Sequence, residues 1–158
     1  MSASRIFLFS FLLLSTVSFG QNNKTGSDNK TYCNARFGYC IDYPKTLYPE
    51  KESANGDGCV FINEKEEEIL RVYGKNNLDH TLQKQFREDL KESQSDATIT
   101  YRKQGKNFFV ISGQKEGKIF YQKTIQKGNV FIYAVIEYNQ NDKESYDKLS
   151  ERIFASLR

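Results

Sequence analysis

The sequence has no tryptophan, one histidine, one methionine, two prolines and three cysteines in 158 residues. Each scarcity excludes something. His80 stands alone, and one histidine with no cysteine pair at metal spacing cannot assemble a structural zinc site. It would also have to serve any Ser-His-Asp device, and no Gly-x-Ser-x-Gly elbow presents a serine. His80 therefore reads as a surface residue in the first turn of a helix. Without Trp there is no indole platform for a sugar, and no spacing singles out a carboxylate pair for glycoside hydrolysis. Cys-x-x-Cys is absent, which leaves a thioredoxin-like role unsupported. Neither phosphate-binding glycine motif precedes a helix. No cofactor is expected.

Long apolar runs are also missing, except at the start. Arg5 precedes Ile6-Phe7-Leu8-Phe9-Ser10-Phe11-Leu12-Leu13-Leu14, and small residues lead to Ser18-Phe19-Gly20. This is the pattern of a secretory signal peptide spanning residues 1–20. The run is too short to cross ~30 Å of hydrocarbon as a helix. Gln21 rather than Cys follows the expected cleavage point, which excludes lipidation there. The expectation is a protein exported to the periplasm or secreted, with no integral membrane segment after cleavage. Removing Arg5 lowers the formal net charge from +3 to +2. Charges of both signs are interleaved, so no nucleic-acid face emerges.

Residues 21–32 are polar up to Lys30 and read as a disordered tether, carrying Asn-x-Thr sequons at Asn23 and Asn29. Residues 33–158 read as one domain. Phe37, Tyr39, Ile41 and Tyr43 alternate, predicting a strand that Pro44 ends. Asn55-Gly56-Asp57-Gly58 is a turn signal, followed by short strands at 59–63 and 69–74 around a charged, solvated Glu64–Glu68 connection. Asn55 and Asp57 are the weak candidates for a ligand loop. With Glu52 and Glu64 they suggest calcium, but the spaced acid series of a calcium loop is missing.

Leu78, Leu82, Phe86 and Leu90 lie four apart and predict an amphipathic helix over 78–93. Strands follow at 97–102, 107–112, 118–126 and 129–138, and a last helix at 142–157 carries Tyr146, Leu149, Ile153 and Leu157. Phe108–Ile111 and Val130–Ile136 are apolar on both faces, so both are expected to be central and covered above and below. Val110, Ile132, Ala134 and Ile136 are the expected core, with Leu82, Phe86, Leu149 and Ile153 as the helical contacts. Short Gly-containing turns make neighbouring strands antiparallel. The expected fold class is α+β: an antiparallel sheet of about seven strands flanked by two main helices.

Several runs carry a resemblance. Arg36-Phe37-Gly38-Tyr39-Cys40-Ile41-Asp42-Tyr43-Pro44, Asn55-Gly56-Asp57-Gly58, Leu70-Arg71-Val72-Tyr73-Gly74, Phe108-Phe109-Val110-Ile111-Ser112-Gly113 and Arg152-Ile153-Phe154-Ala155-Ser156-Leu157 resemble a family of small exported bacterial proteins of unassigned function. The likeness runs from Cys33 to Arg158. It implies a fold similar to the PsbP-like α/β/α sandwich, whose members are mostly adaptors, chaperones and accessory subunits. It transfers no catalytic residue.

The resemblance also suggests a Cys33–Cys40 disulfide, with Cys59 left over. The residues themselves leave the pairing open. Seven extended steps of ~3.3 Å would hold Cys33 and Cys40 too far apart, so the chain must turn back at Gly38 or Asn34-Ala35 for them to bridge. Cys40–Cys59 needs only antiparallel neighbours in register. Cys33–Cys59, or no bridge, completes the set.

The functional expectation is a non-enzymatic binding or accessory protein of the envelope or secreted space, whose partner is another protein or a small ligand. An enzyme with an unrecognised site, or a small-ligand carrier with a cavity between sheet and helix, are the alternatives.

Overall fold

The structure, a computed structural model, describes residues 29–158 apart from residue 79 and the side chain of Lys51. The expected signal peptide, tether residues 21–28 and the Asn23 sequon lie outside the described residues. Nine strands and two helices follow in the order β1 (Asn29–Asn34), β2 (Tyr39–Pro44), β3 (Tyr48–Glu52), β4 (Gly58–Ile62), β5 (Glu68–Asn76), α1 (Leu82–Ser93), β6 (Thr98–Gln104), β7 (Phe108–Lys115), β8 (Lys118–Lys127), β9 (Val130–Asn139) and α2 (Lys143–Ser156). A single 3₁₀ turn, Gln140–Asp142, leads into α2.

β3 to β9 form one antiparallel sheet in the order β3-β4-β5-β9-β8-β7-β6. The first three strands form a meander. α1 then carries the chain across one face, and the second meander returns until β9 lies beside β5. The fold is α+β with the seven-stranded sheet expected, although one strand differs. The alternating Tyr39–Tyr43 strand is β2, which pairs with β1 in a separate two-stranded ribbon. The seventh place goes to β3, an edge strand. β1 begins at Asn29, so residues 29–32 belong to a strand rather than to the tether.

β9 is central, as its two apolar faces demand. Ile132, Ala134, Ile136 and Tyr138 point to one side, where they pack with Phe61, Leu70, Val72, Ile153 of α2 and the inward ring of β2 (Tyr39, Ile41, Tyr43). Phe131 and Tyr133 point to the other, with Phe109, Ile111, Leu82 and Phe86. The layers are therefore α1, then sheet, then α2 together with the β1–β2 ribbon. Gly74 has a packing reason: a Cβ there would fall 2.2 Å from the Phe37 ring, so only glycine lets the ribbon close on β5.

The expectation for Phe108–Ile111 needs correcting. Phe109 and Ile111 are buried under α1, but Val110 is only half-buried. β7 lies next to the edge strand, and α2 packs on β2, β8 and β9 rather than over β7. Val110 instead faces Lys123 across the ladder. Lys123 Nζ donates to Phe154 O at 2.6 Å, placing a cation on one of the carbonyls that end α2, where helix polarity favours positive charge. Burial lowers the pKa of that amine.

α1 is shorter than predicted. Its N-cap is Thr81, whose hydroxyl accepts from Lys84 N at 3.2 Å, satisfying one of the free N–H groups of the first turn. Leu78 thus lies before the helix and is 79% exposed. His80 also precedes the cap. Its Nδ1 lies 3.2 Å from Glu88 Oε2 and 3.3 Å from Gln85 Oε1.

Residues 156–158 tie the ribbon down. Cys40 N donates to Arg158 O at 2.9 Å and Arg158 N to Cys40 O at 3.1 Å. The Arg158 guanidinium pairs with Asp42 at 3.3 Å.

Candidate functional site

α1 turns Leu82, Phe86 and Leu90 onto the sheet, and the positions just before two of them, Gln85 and Asp89, follow the same turn of the helix. Both are buried, Asp89 with 9% exposure. Gln85 Nε2 donates to Asp89 Oδ1 at 2.6 Å. From β8, Gln122 Nε2 donates to Asp89 Oδ2 at 2.9 Å and to Thr124 Oγ1 at 3.2 Å. The carboxylate is thus held by two neutral amides, and none of the ion pairs among the described residues includes it. Burial disfavours its charge and raises its pKa, against the amides and the nearby Lys75.

Tyr133 points from β9 to the same place. It is 3% exposed, and its hydroxyl is the one buried side-chain polar atom among the described residues without a hydrogen-bond partner. Its ring stacks on that of Tyr73, its direct partner on β5, at 4.8 Å and 4°. Burial first, and the Asp89 charge second, push the Tyr73 hydroxyl up to about 12 and raise that of Tyr133 as well. The Tyr133 hydroxyl lies close enough to Asp89 to feel the carboxylate directly, though it makes no hydrogen bond of good geometry.

Asp89, Gln122, Tyr73 and Tyr133 line a groove of about 600 Å³ between the C-terminal half of α1 and the sheet. Its cations are mostly answered locally: Arg71 by Glu68 at 3.0 Å and Lys115 by Asp96. Glu137 on the floor pairs with Lys118 at 3.1 Å. Glu92, one turn along α1 from Asp89, and Lys75 at the rim are in no ion pair among the described residues. The groove can receive a polar or charged group and offers it a carboxylate, a hydroxyl and two aromatic faces.

The residues singled out from the sequence lie elsewhere. Cys33 and Cys40 face each other across the ribbon with Cα atoms 4.1 Å apart and are disulfide-bonded. The chain turns back through residues 35–38, where Gly38 takes φ +62°, and Asn34 closes the turn by accepting Phe37 N at 3.0 Å on its side chain. Cys59 is a buried free thiol. Asn55 and Asp57 sit in the β3–β4 turn, where their side chains serve each other: Asn55 Nδ2 donates to Asp57 Oδ2 at 2.8 Å, and Ser53 Oγ to Asp57 Oδ1 at 2.5 Å. Asp57 also borders a hollow of about 250 Å³ that shares Arg71 and Tyr73 with the groove. No group of three or more His, Cys, Asp or Glu among the described residues is placed to hold a metal ion.

Sequence reasoning missed Asp89, Gln85, Gln122 and Tyr133. One signal was present. Gln85 and Asp89 keep the four-residue period of the buried stripe, one position ahead of Phe86 and Leu90.

No family model matches the chain, and no curated protein does. Solved structures do. The solution structure of cyanobacterial PsbP (CyanoP) from Synechocystis sp. PCC 6803 superposes with a TM-score of 0.63 over 89% of this chain and 98% of that one, at 14% identity. The fold is PsbP-like. A Bacteroides thetaiotaomicron VPI-5482 protein shares it at TM-score 0.55 and 17% identity, covering 83% of this chain and 48% of that one. At these identities the PsbP-like likeness speaks for the architecture, and function rests on the residues in the groove. Among the described residues no helix is long and apolar enough to cross a membrane.

Proposed function

We propose that the chain is an exported, non-enzymatic binding or accessory protein of the cell envelope or secreted space, with the groove beside α1 as its binding face. One observation carries this reading. A buried carboxylate with no ion-pair partner among the described residues and a buried hydroxyl without a hydrogen bond of good geometry meet at an open hollow, and a bound group would satisfy both. Export is supported by the pattern of residues 1–20 and by the Cys33–Cys40 disulfide, a bond that persists in oxidising compartments.

A photo-crosslinking side chain at position 92, in the groove, compared with one at position 106, in the β6–β7 turn, tests the face. In the producing cell, position 92 should give one recurrent adduct that position 106 does not. Equal smears from both positions, or substrate turnover by the pure protein, would overturn the proposal. Mass spectrometry tests export: the mature chain should begin at Gln21, and recovery of chains retaining Met1 from membranes would refute it.

A small-ligand carrier is the second reading. It is favoured by the depth of Asp89 and Tyr133, which a compact ligand reaches more easily than a protein surface does.

A further inference from the structure

We infer that the groove recognises a primary ammonium group carried on a flexible aliphatic stem. This rests on the groove being the binding face and adds the chemistry of what enters it.

Two anomalies meet there. Asp89 is nine-tenths buried and has only neutral donors, Gln85 and Gln122, on its two oxygens. A buried carboxylate is costly to leave without a cation. Tyr133 is 3% exposed, and its hydroxyl lies near the Asp89 carboxylate, which acts on it, without closing a hydrogen bond of good geometry. A single ammonium answers both, because it has three N–H donors and no acceptor. One donor would go to a remaining lone pair of Asp89 and another to Tyr133 Oη. The stacked Tyr73–Tyr133 pair adds the aromatic surface to which cations are attracted, and Glu92 supplies a second, outer carboxylate.

The geometry favours an ammonium over a guanidinium. A guanidinium fork asks for both carboxylate oxygens along one edge, and each Asp89 oxygen already accepts an amide. A compact ammonium needs only one lone pair. The walls do not repel it strongly, since Arg71 and Lys115 are paired with Glu68 and Asp96. Lys75 is the exception, an exposed cation at the rim whose charge already acts on Asp89. It marks how the site treats a cation and competes weakly with one.

The test is an NMR titration of the full exported chain with 1,5-diaminopentane and with N-acetyl-lysine methylamide, using pentan-1-ol and N-acetyl-arginine methylamide as controls. Both amines should shift the amides of Tyr73, Asp89, Gln122 and Tyr133 saturably, and the controls should not. Asp89→Asn should weaken binding by about tenfold or more, and Tyr133→Phe by about threefold. Lys75→Gln should leave binding unchanged or tighten it. Tyr133→Phe removes one oxygen and keeps the ring, so the inference stays testable if Asp89→Asn fails to fold. Tighter binding of the diamine identifies a free amine as the natural source; tighter binding of the lysine amide identifies a partner's side chain. Absence of saturable shifts, equal binding of the arginine control, or shifts that both variants leave unchanged would overturn the inference. If the amines fail while position 92 still gives its adduct, the ammonium chemistry is wrong and the binding face stands. If both fail, the face itself is wrong.

Discussion

Tyr73 and Tyr133 lie directly opposite each other on β5 and β9 with rings 4° from parallel, yet only the Tyr133 hydroxyl is buried without a partner. An unsatisfied buried hydroxyl costs about 1–3 kcal/mol. Tyr133→Phe removes that cost and keeps the stack. Urea denaturation of the unliganded protein should show stability unchanged or raised by up to about 1 kcal/mol. A clear loss would mean that the hydroxyl has a partner.

Two aspartates should leave opposite marks on the pH dependence of stability. Burial raises the Asp89 pKa above its ordinary 3.8. The folded state therefore binds that proton more tightly than the unfolded state. The resulting stability is fully present below 3.8 and is lost as pH rises through the folded value. Asp42 behaves the other way. The Thr31 hydroxyl, and then Arg158, hold its carboxyl below 3.8, so its contribution is present above 3.8 and lost as pH falls through the folded value. Urea midpoints measured from about pH 2 to about pH 7 should show Asp89→Asn flattening the loss on the higher-pH side and Asp42→Asn the loss on the acid side. Curves parallel to that of the unmodified protein would contradict both assignments.

Ile132 sits on the central strand with no exposure. Ile132→Ala should cost about 2–5 kcal/mol, through lost burial plus the cavity left behind. A cost below about 0.5 kcal/mol would mean that the strand is not central.

The three cysteines should separate by chemistry. Burial, and then the charges of Glu52 and Glu50, push the Cys59 thiol up to about 11, so it should resist iodoacetamide in the native state and react fully in denaturant. Non-reducing peptide mapping should recover Cys33 joined to Cys40. Replacing both by serine should cost about 2–3 kcal/mol, from the freedom regained by a short loop. The ribbon should stay docked, because Tyr39, Ile41 and Tyr43 remain in the core. A bridged Cys59 would overturn the assignment.

Much of the fold was legible because its signals are local. β9 is apolar on both faces, and that alone makes it central. The α2 stripe Tyr146, Leu149 and Ile153 announces a helix against a core. β3 was not legible: Pro49 and three charges fill Tyr48–Glu52, a composition that only an edge strand tolerates. The alternation of Tyr39 to Tyr43 marks a strand, but alternation does not name its partner, and β2 pairs outside the main sheet. The groove was less visible still. Asp89 stands in a helix rich in charge, and its burial follows from where β8 and β9 pass beneath it. Leu78 shows the converse: it fits the four-residue period, and the Thr81 cap starts the helix too late to use it.

The backbone bonds between Cys40 and Arg158, and the pairing of Asp42 with Arg158 116 residues away, set an order on folding. The Cys33–Cys40 bond joins residues only seven apart and can close early, within its own hairpin. The contacts that seat the hairpin's outer edge must wait for residues 156–158, since long-range contacts bear the largest loop-closure cost. Until those residues are in place, the ring of Tyr39, Ile41 and Tyr43 lacks part of its cover. A partly folded chain is therefore most exposed to aggregation and proteolysis at the ribbon until those contacts close.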